Sequence, residues 1–121
     1  MLTIFEANVV SVGPSAMDMI KTTNMLILFG ENAPADLAEF CYIIDNKQLN
    51  GSIQSGGKLI IDNLSYTITA VGSVVEQNLK NLGHITITFD GATSASLPGT
   101  LHVEKREIPN ILEGSTIQMI D

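Results

Sequence analysis

Two imidazoles and one thiol are the ready nucleophiles near neutral pH in this 121-residue chain: His84, His102 and Cys41. His84 closes the stretch "AVGSVVEQNLKNLG" and opens "HITITFDG", so it stands where a helix ends and a strand begins. Imidazole can attack an electrophile and hold it covalently, which makes either ring a candidate acceptor of a transferable group. The plainer role for His84 is electrostatic, because a donor just past a helix C-terminus complements the unpaired carbonyls there. His102 lies in "GTLHVE", and alternation puts it on the same side as Thr100 and Glu104, facing solvent or a rim. Cys41, the one cysteine, excludes an internal disulfide and reads as a small buried hydrophobe rather than a nucleophile. Two histidines and a distant cysteine do not make a zinc site, so no metal is expected. No phosphate-binding glycine loop, dinucleotide fingerprint, metalloprotease motif or calcium loop occurs, and Gly56-Gly57 belongs to a turn.

The elements that carry these residues are short. Residues 2–12 ("LTIFEANVVSV") read as a strand stopped by Gly-Pro, followed by a helical turn in "SAMDMI". "MLILFG" (25–30) is a fully apolar run, the pattern of a strand buried on both faces. Pro34 suits the first turn of a short helix in "ENAPADLAEF", before a strand in "CYIID". "KLIIDNLSYTITAV" is the clearest hairpin, with Tyr66, Ile68 and Ala70 alternating with Thr67 and Thr69. Ser73 and Glu76 form an S-x-x-E capping box for a helix over 74–82. Val75, Leu79 and Leu82 make its single apolar stripe, and Gly83 supplies its left-handed stop. "HITITF", "TLHVEKRE" and "TIQMI" are the remaining strands. About eight strands with two or three short helices predict an all-β, compact, mostly antiparallel barrel. Residues 1–121 are expected to form a single domain.

A net charge of -7 excludes nucleic acid and disfavours an anionic membrane surface, while a basic protein partner would be steered favourably. The beginning "MLTIFEANVV" has no basic leader and no window is long enough to span a bilayer, so a cytoplasmic location without membrane insertion is expected.

"APADLAEFC" (33–41), "TAVGSVVEQNLKNLGHITITFDG" (69–91) and "LPGTLHVE" (97–104) resemble, in order, the glucitol/sorbitol-specific enzyme IIA component of the bacterial phosphotransferase system. The resemblance implies a β-barrel phosphocarrier. Such a protein takes phosphate from the histidine carrier HPr onto a histidine and hands it to enzyme IIB of a membrane transporter (IIB/IIC), which phosphorylates a sugar alcohol. Transfer between phosphohistidines implies no cofactor, neither Mg²⁺ nor nucleotide. The family's acceptor histidine follows the A-P-A-D-L segment near the end of the next strand. In this chain that place holds Ile44 or a neighbour such as Asp45, and no histidine precedes His84. Three readings follow. In the first, the chain is a carrier whose acceptor is His84, with His102 second. Its phosphoryl oxygens would then be stabilised by backbone donors at Gly72, Ser73 and Val74. In the second, it is a regulatory or docking module without phosphotransfer. In the third, a barrel binds a ligand in its mouth and resembles the family in fold alone.

Overall fold

Strands with one apolar face close on themselves here. The structure is a computed structural model that describes residues 2–121. Among those residues the strands are β1 (Thr3–Val12), β2 (Met25–Gly30), β3 (Tyr42–Ile44), β4 (Lys58–Ile61), β5 (Leu64–Val71), β6 (Ile85–Phe89), β7 (Thr100–Val103) and β8 (Thr116–Ile120). The helices are α1 (Ala16–Thr23), α2 (Ala35–Ala38) and α3 (Val75–Leu82). The strands form a closed barrel in the order β1-β3-β2-β6-β7-β5-β4-β8. Closure removes the unpaired edges that an open sheet of this size would offer to other chains.

The expected barrel is therefore present, with one addition. Six of the neighbour pairs are antiparallel, but β2–β3 and β6–β7 run parallel. A parallel pair needs a crossover, and each has one: residues 31–41 with α2, and residues 90–99 without regular structure. These crossovers leave the barrel wall and come back to it. One covers the surface beside His84 and the other covers His102.

Alternation decides what faces inward. On β5, Tyr66, Ile68 and Ala70 are buried while Thr67 and Thr69 are partly exposed. The interior is filled by one apolar cluster that includes Phe5, Leu26, Leu28, Ile44, Leu59 and Phe89. At about 25 cal/mol per Å² of apolar area removed from water, such a core is the main stabilising term. β2 departs from expectation: Leu26 and Leu28 point inward, but Ile27 on the other face stays partly exposed. That outer face joins Phe29, Cys41 and Ile43 in a second, smaller cluster beneath α2.

The helix before His84 begins one residue later than predicted, and its capping box is not made. No side chain caps its start. Instead the Glu76 carboxylate accepts from the Ile53 amide at 2.8 Å, tying α3 to the segment before β4. Val75 and Leu79 are buried, but Leu82 is 49% exposed, so the apolar stripe ends a turn early. Gly83 does end the helix, at φ +68. A Cβ there would lie 2.8 Å from the Gly30 amide nitrogen, and one on Gly30 would lie 2.7 Å from Leu82 O. The bare backbones let α3 end directly against β2, which sets the place of the next residue, His84.

Candidate functional site

The His84 side chain turns away from its own helix. Its Nδ1 lies 3.1 Å from the backbone oxygen of Leu28 on β2. A carbonyl oxygen only accepts, so Nδ1 carries the proton and the neutral ring keeps its lone pair on Nε2. The ring stacks on Phe29, with centroids 4.6 Å apart and planes at 27°. One hydrogen bond and one aromatic face thus fix both the tautomer and the plane of the imidazole. Nε2 has no protein partner among the described residues. It opens toward a groove of about 430 Å³ lined by Met19, Ile27, Phe29, Leu37, Phe40, Cys41, His84 and Thr86.

The plainer role is filled by other groups. Lys47 Nζ donates to Asn81 O at 3.0 Å in the last turn of α3, and the Gly83 amide donates to Leu79 O. His84 offers that helix only its backbone amide, to Asn78 O at 3.3 Å. The imidazole is left for other work.

His102 is placed differently from the expectation. It is 1% exposed rather than at a rim, because β7 is buried on both faces. Its Nδ1 meets Asp90 Oδ1 at 2.9 Å. Its Nε2 accepts from the Ser96 amide at 3.2 Å, with Ser96 Oγ at 3.3 Å. Both nitrogens are occupied, and the ring pins the 90–99 crossover to the barrel. Burial pushes the Asp90 carboxyl upward, but bonds from the Ala92 amide and the His102 ring outweigh it, so it stays below the usual carboxylate range.

The expected backbone cradle does not form. The Gly72 amide donates to Thr100 O and the Val74 amide to Pro98 O, both at 2.9 Å, which leaves only the Ser73 amide uncommitted. His84 lies beyond the opposite end of α3, about 12 Å away at 1.5 Å per residue.

Ile44 is 1% exposed and part of the barrel core. Asp45 accepts from the Asn8 amide at 2.8 Å and thereby helps tie β3 to β1. Cys41 is buried, its Sγ donates to Leu37 O at 3.1 Å, and burial pushes its thiol up to about 11. It stays protonated and unreactive at neutral pH, as expected. The described residues hold no group of three or more metal-ligating side chains and no helix long and apolar enough to cross a membrane.

Sequence reasoning missed the walls of the groove. Ile27, Phe29, Leu37 and Phe40 come from β2 and from the crossover around α2, far from His84 in the chain. The available signal was the fully apolar "MLILFG", whose outward face needed some cover.

A family model described as "PTS system glucitol/sorbitol-specific IIA component" matches residues 4–118. A protein named "PTS system glucitol/sorbitol-specific EIIA component" from Escherichia coli (strain K12) is 41% identical over 118 residues, 98% of this chain and 95% of that one. A protein of the same name from Shigella flexneri matches with the same identity and coverage. A solved structure, "The Crystal Structure of PTS System IIA Component from Enterococcus faecalis V583", superimposes with a TM-score of 0.80 at 30% identity, covering 93% of this chain and 97% of that one.

Proposed function

Because the chain belongs to the glucitol/sorbitol-specific IIA component family of the phosphotransferase system, we propose that it is a cytoplasmic phosphocarrier that uses His84. It accepts a phosphoryl group from HPr and passes it to enzyme IIB of a IIB/IIC transporter that phosphorylates a sugar alcohol. Residues 1–121 act as one IIA unit. The observation that carries this reading is the state of the His84 ring: Nδ1 held on Leu28 O at 3.1 Å and Nε2 open to the groove.

The transfer balances without a further reactant. The Nε2 lone pair attacks phosphorus in line, the new N–P bond forms as the donor's N–P bond breaks, and the donor imidazole recovers its electron pair. Nδ1 keeps its proton on Leu28 O, so the positive charge developing in the ring is met by a carbonyl dipole. The apolar walls offer the partner a surface without charge, and a partner seated on them would keep water from the labile N–P bond. Ile44 has no atom that can accept the group, and the His102 lone pair is already engaged. His84 is what remains.

The test is to incubate the protein with phosphorylated HPr and ask for an acid-labile, base-stable phosphate. Wild type and His102→Asn should be labelled, and His84→Ala should not. Labelling that persists in His84→Ala overturns the assignment. An unlabelled wild type that still binds the donor replaces the carrier with a docking module.

A further inference from the structure

Tyr42 stands out among the buried polar side chains. It is 1% exposed and sits in the barrel core. Yet its hydroxyl meets no donor or acceptor among the described residues, in contrast to Tyr66, whose Oη donates to Glu107 O at 2.6 Å. A buried hydroxyl without a partner costs about 1–3 kcal/mol. No fully buried polar side-chain atom among the described residues lacks a partner. The small exposed part of Tyr42 therefore includes Oη, and Tyr42 is one of the residues that line a surface cavity.

That cavity, about 380 Å³, lies between α1 and the 104–115 segment. Met17, Ile20, Ile108 and Ile111 give it apolar walls, and Lys21 and Asn110 add an ammonium and an amide. Lys21 is its one charged lining residue. The ion pair found among the described residues is His102–Asp90, so no carboxylate among them lies within 4.0 Å of the Lys21 ammonium. The volume falls within the range of small-molecule sites, which combine apolar walls with a few convergent polar groups. None of its lining residues is shared with the His84 groove.

We propose that this cavity is a binding site for a small monocarboxylate with an apolar body, whose carboxylate accepts from Tyr42 Oη and pairs with Lys21. The body lies against Ile20, Ile108 and Ile111. A cationic ligand is disfavoured by Lys21, and a wholly apolar one would leave the hydroxyl unsatisfied.

Octanoate is the probe, with octanol as its uncharged counterpart, and the methyl resonances of isoleucine and methionine are the readout. Octanoate should shift Met17, Ile20, Ile108 and Ile111 saturably, and more tightly than octanol does. Tyr42→Phe should weaken octanoate binding about fivefold, the loss of one ordinary hydrogen bond. Lys21→Gln, a change at an exposed position, should weaken octanoate about threefold and leave octanol unchanged. It keeps the test intact should Tyr42→Phe fail to fold. The proposal is overturned if octanoate shifts no methyl at millimolar concentration. It is equally overturned if the shifts gather at Met19 and Ile27, which line the His84 groove, or if Lys21→Gln binds octanoate as wild type does.

Discussion

At the scale of single residues, the two histidines differ in what their partners leave free. His84 gives one nitrogen to a carbonyl and keeps the other open. His102 spends both on closing a crossover. His102→Asn should lower unfolding free energy by about 2 kcal/mol in urea titration, since it breaks bonds to a carboxylate and to a backbone amide. Asp90 gives a sign that can be checked. Its carboxyl is held below the ordinary range in the folded protein, so its contribution is present above the unfolded value of about 4 and is lost as pH falls through the lower folded value. Asp90→Asn should therefore flatten the fall of stability with acid below about pH 4, measured as urea midpoint against pH. The size is modest, because the Asp90 side chain is 43% exposed.

At the scale of elements, α3 departs from its sequence pattern. A working capping box would make Ser73→Ala cost about 1 kcal/mol. With no side-chain cap in place, that substitution should leave the thermal midpoint nearly unchanged. Glu76→Ala should cost about 1.5–3 kcal/mol, because its carboxylate holds the Ile53 amide. The reverse order would restore the box. The join between α3 and β2 also allows no side chain. Gly30→Ala places a carbon against Leu82 O. It should lower both the thermal midpoint and, on the proposed carrier role, the rate of phosphorylation at His84, because the same backbone contact sets where the residue after Gly83 stands.

At the scale of the molecule, closure is completed by β8, which pairs with β1 on one side and β4 on the other. Removing residues 116–121 would expose two strand edges and take Ile117 and Met119 from the core, both fully buried. That truncation should be unfolded or aggregated by circular dichroism and size-exclusion chromatography, rather than merely less stable.

Strand alternation, the Gly83 stop and the family-like segments were legible in the linear chain because each depends on neighbours a few residues apart. On that basis the barrel, the family and the pair of candidate rings were accessible from sequence. The parallel pairs β2–β3 and β6–β7 were not, since strand direction depends on where a crossover returns. Nor was the fate of each imidazole. A ring's free nitrogen is decided by groups that sequence does not place beside it: Leu28 lies 56 residues before His84. Even a loop as near as the one bearing Ser96 shields His102 only because the barrel wall brings it back. Local periodicity determined what this chain builds, and contacts between distant segments decided which of its reactive atoms stays free.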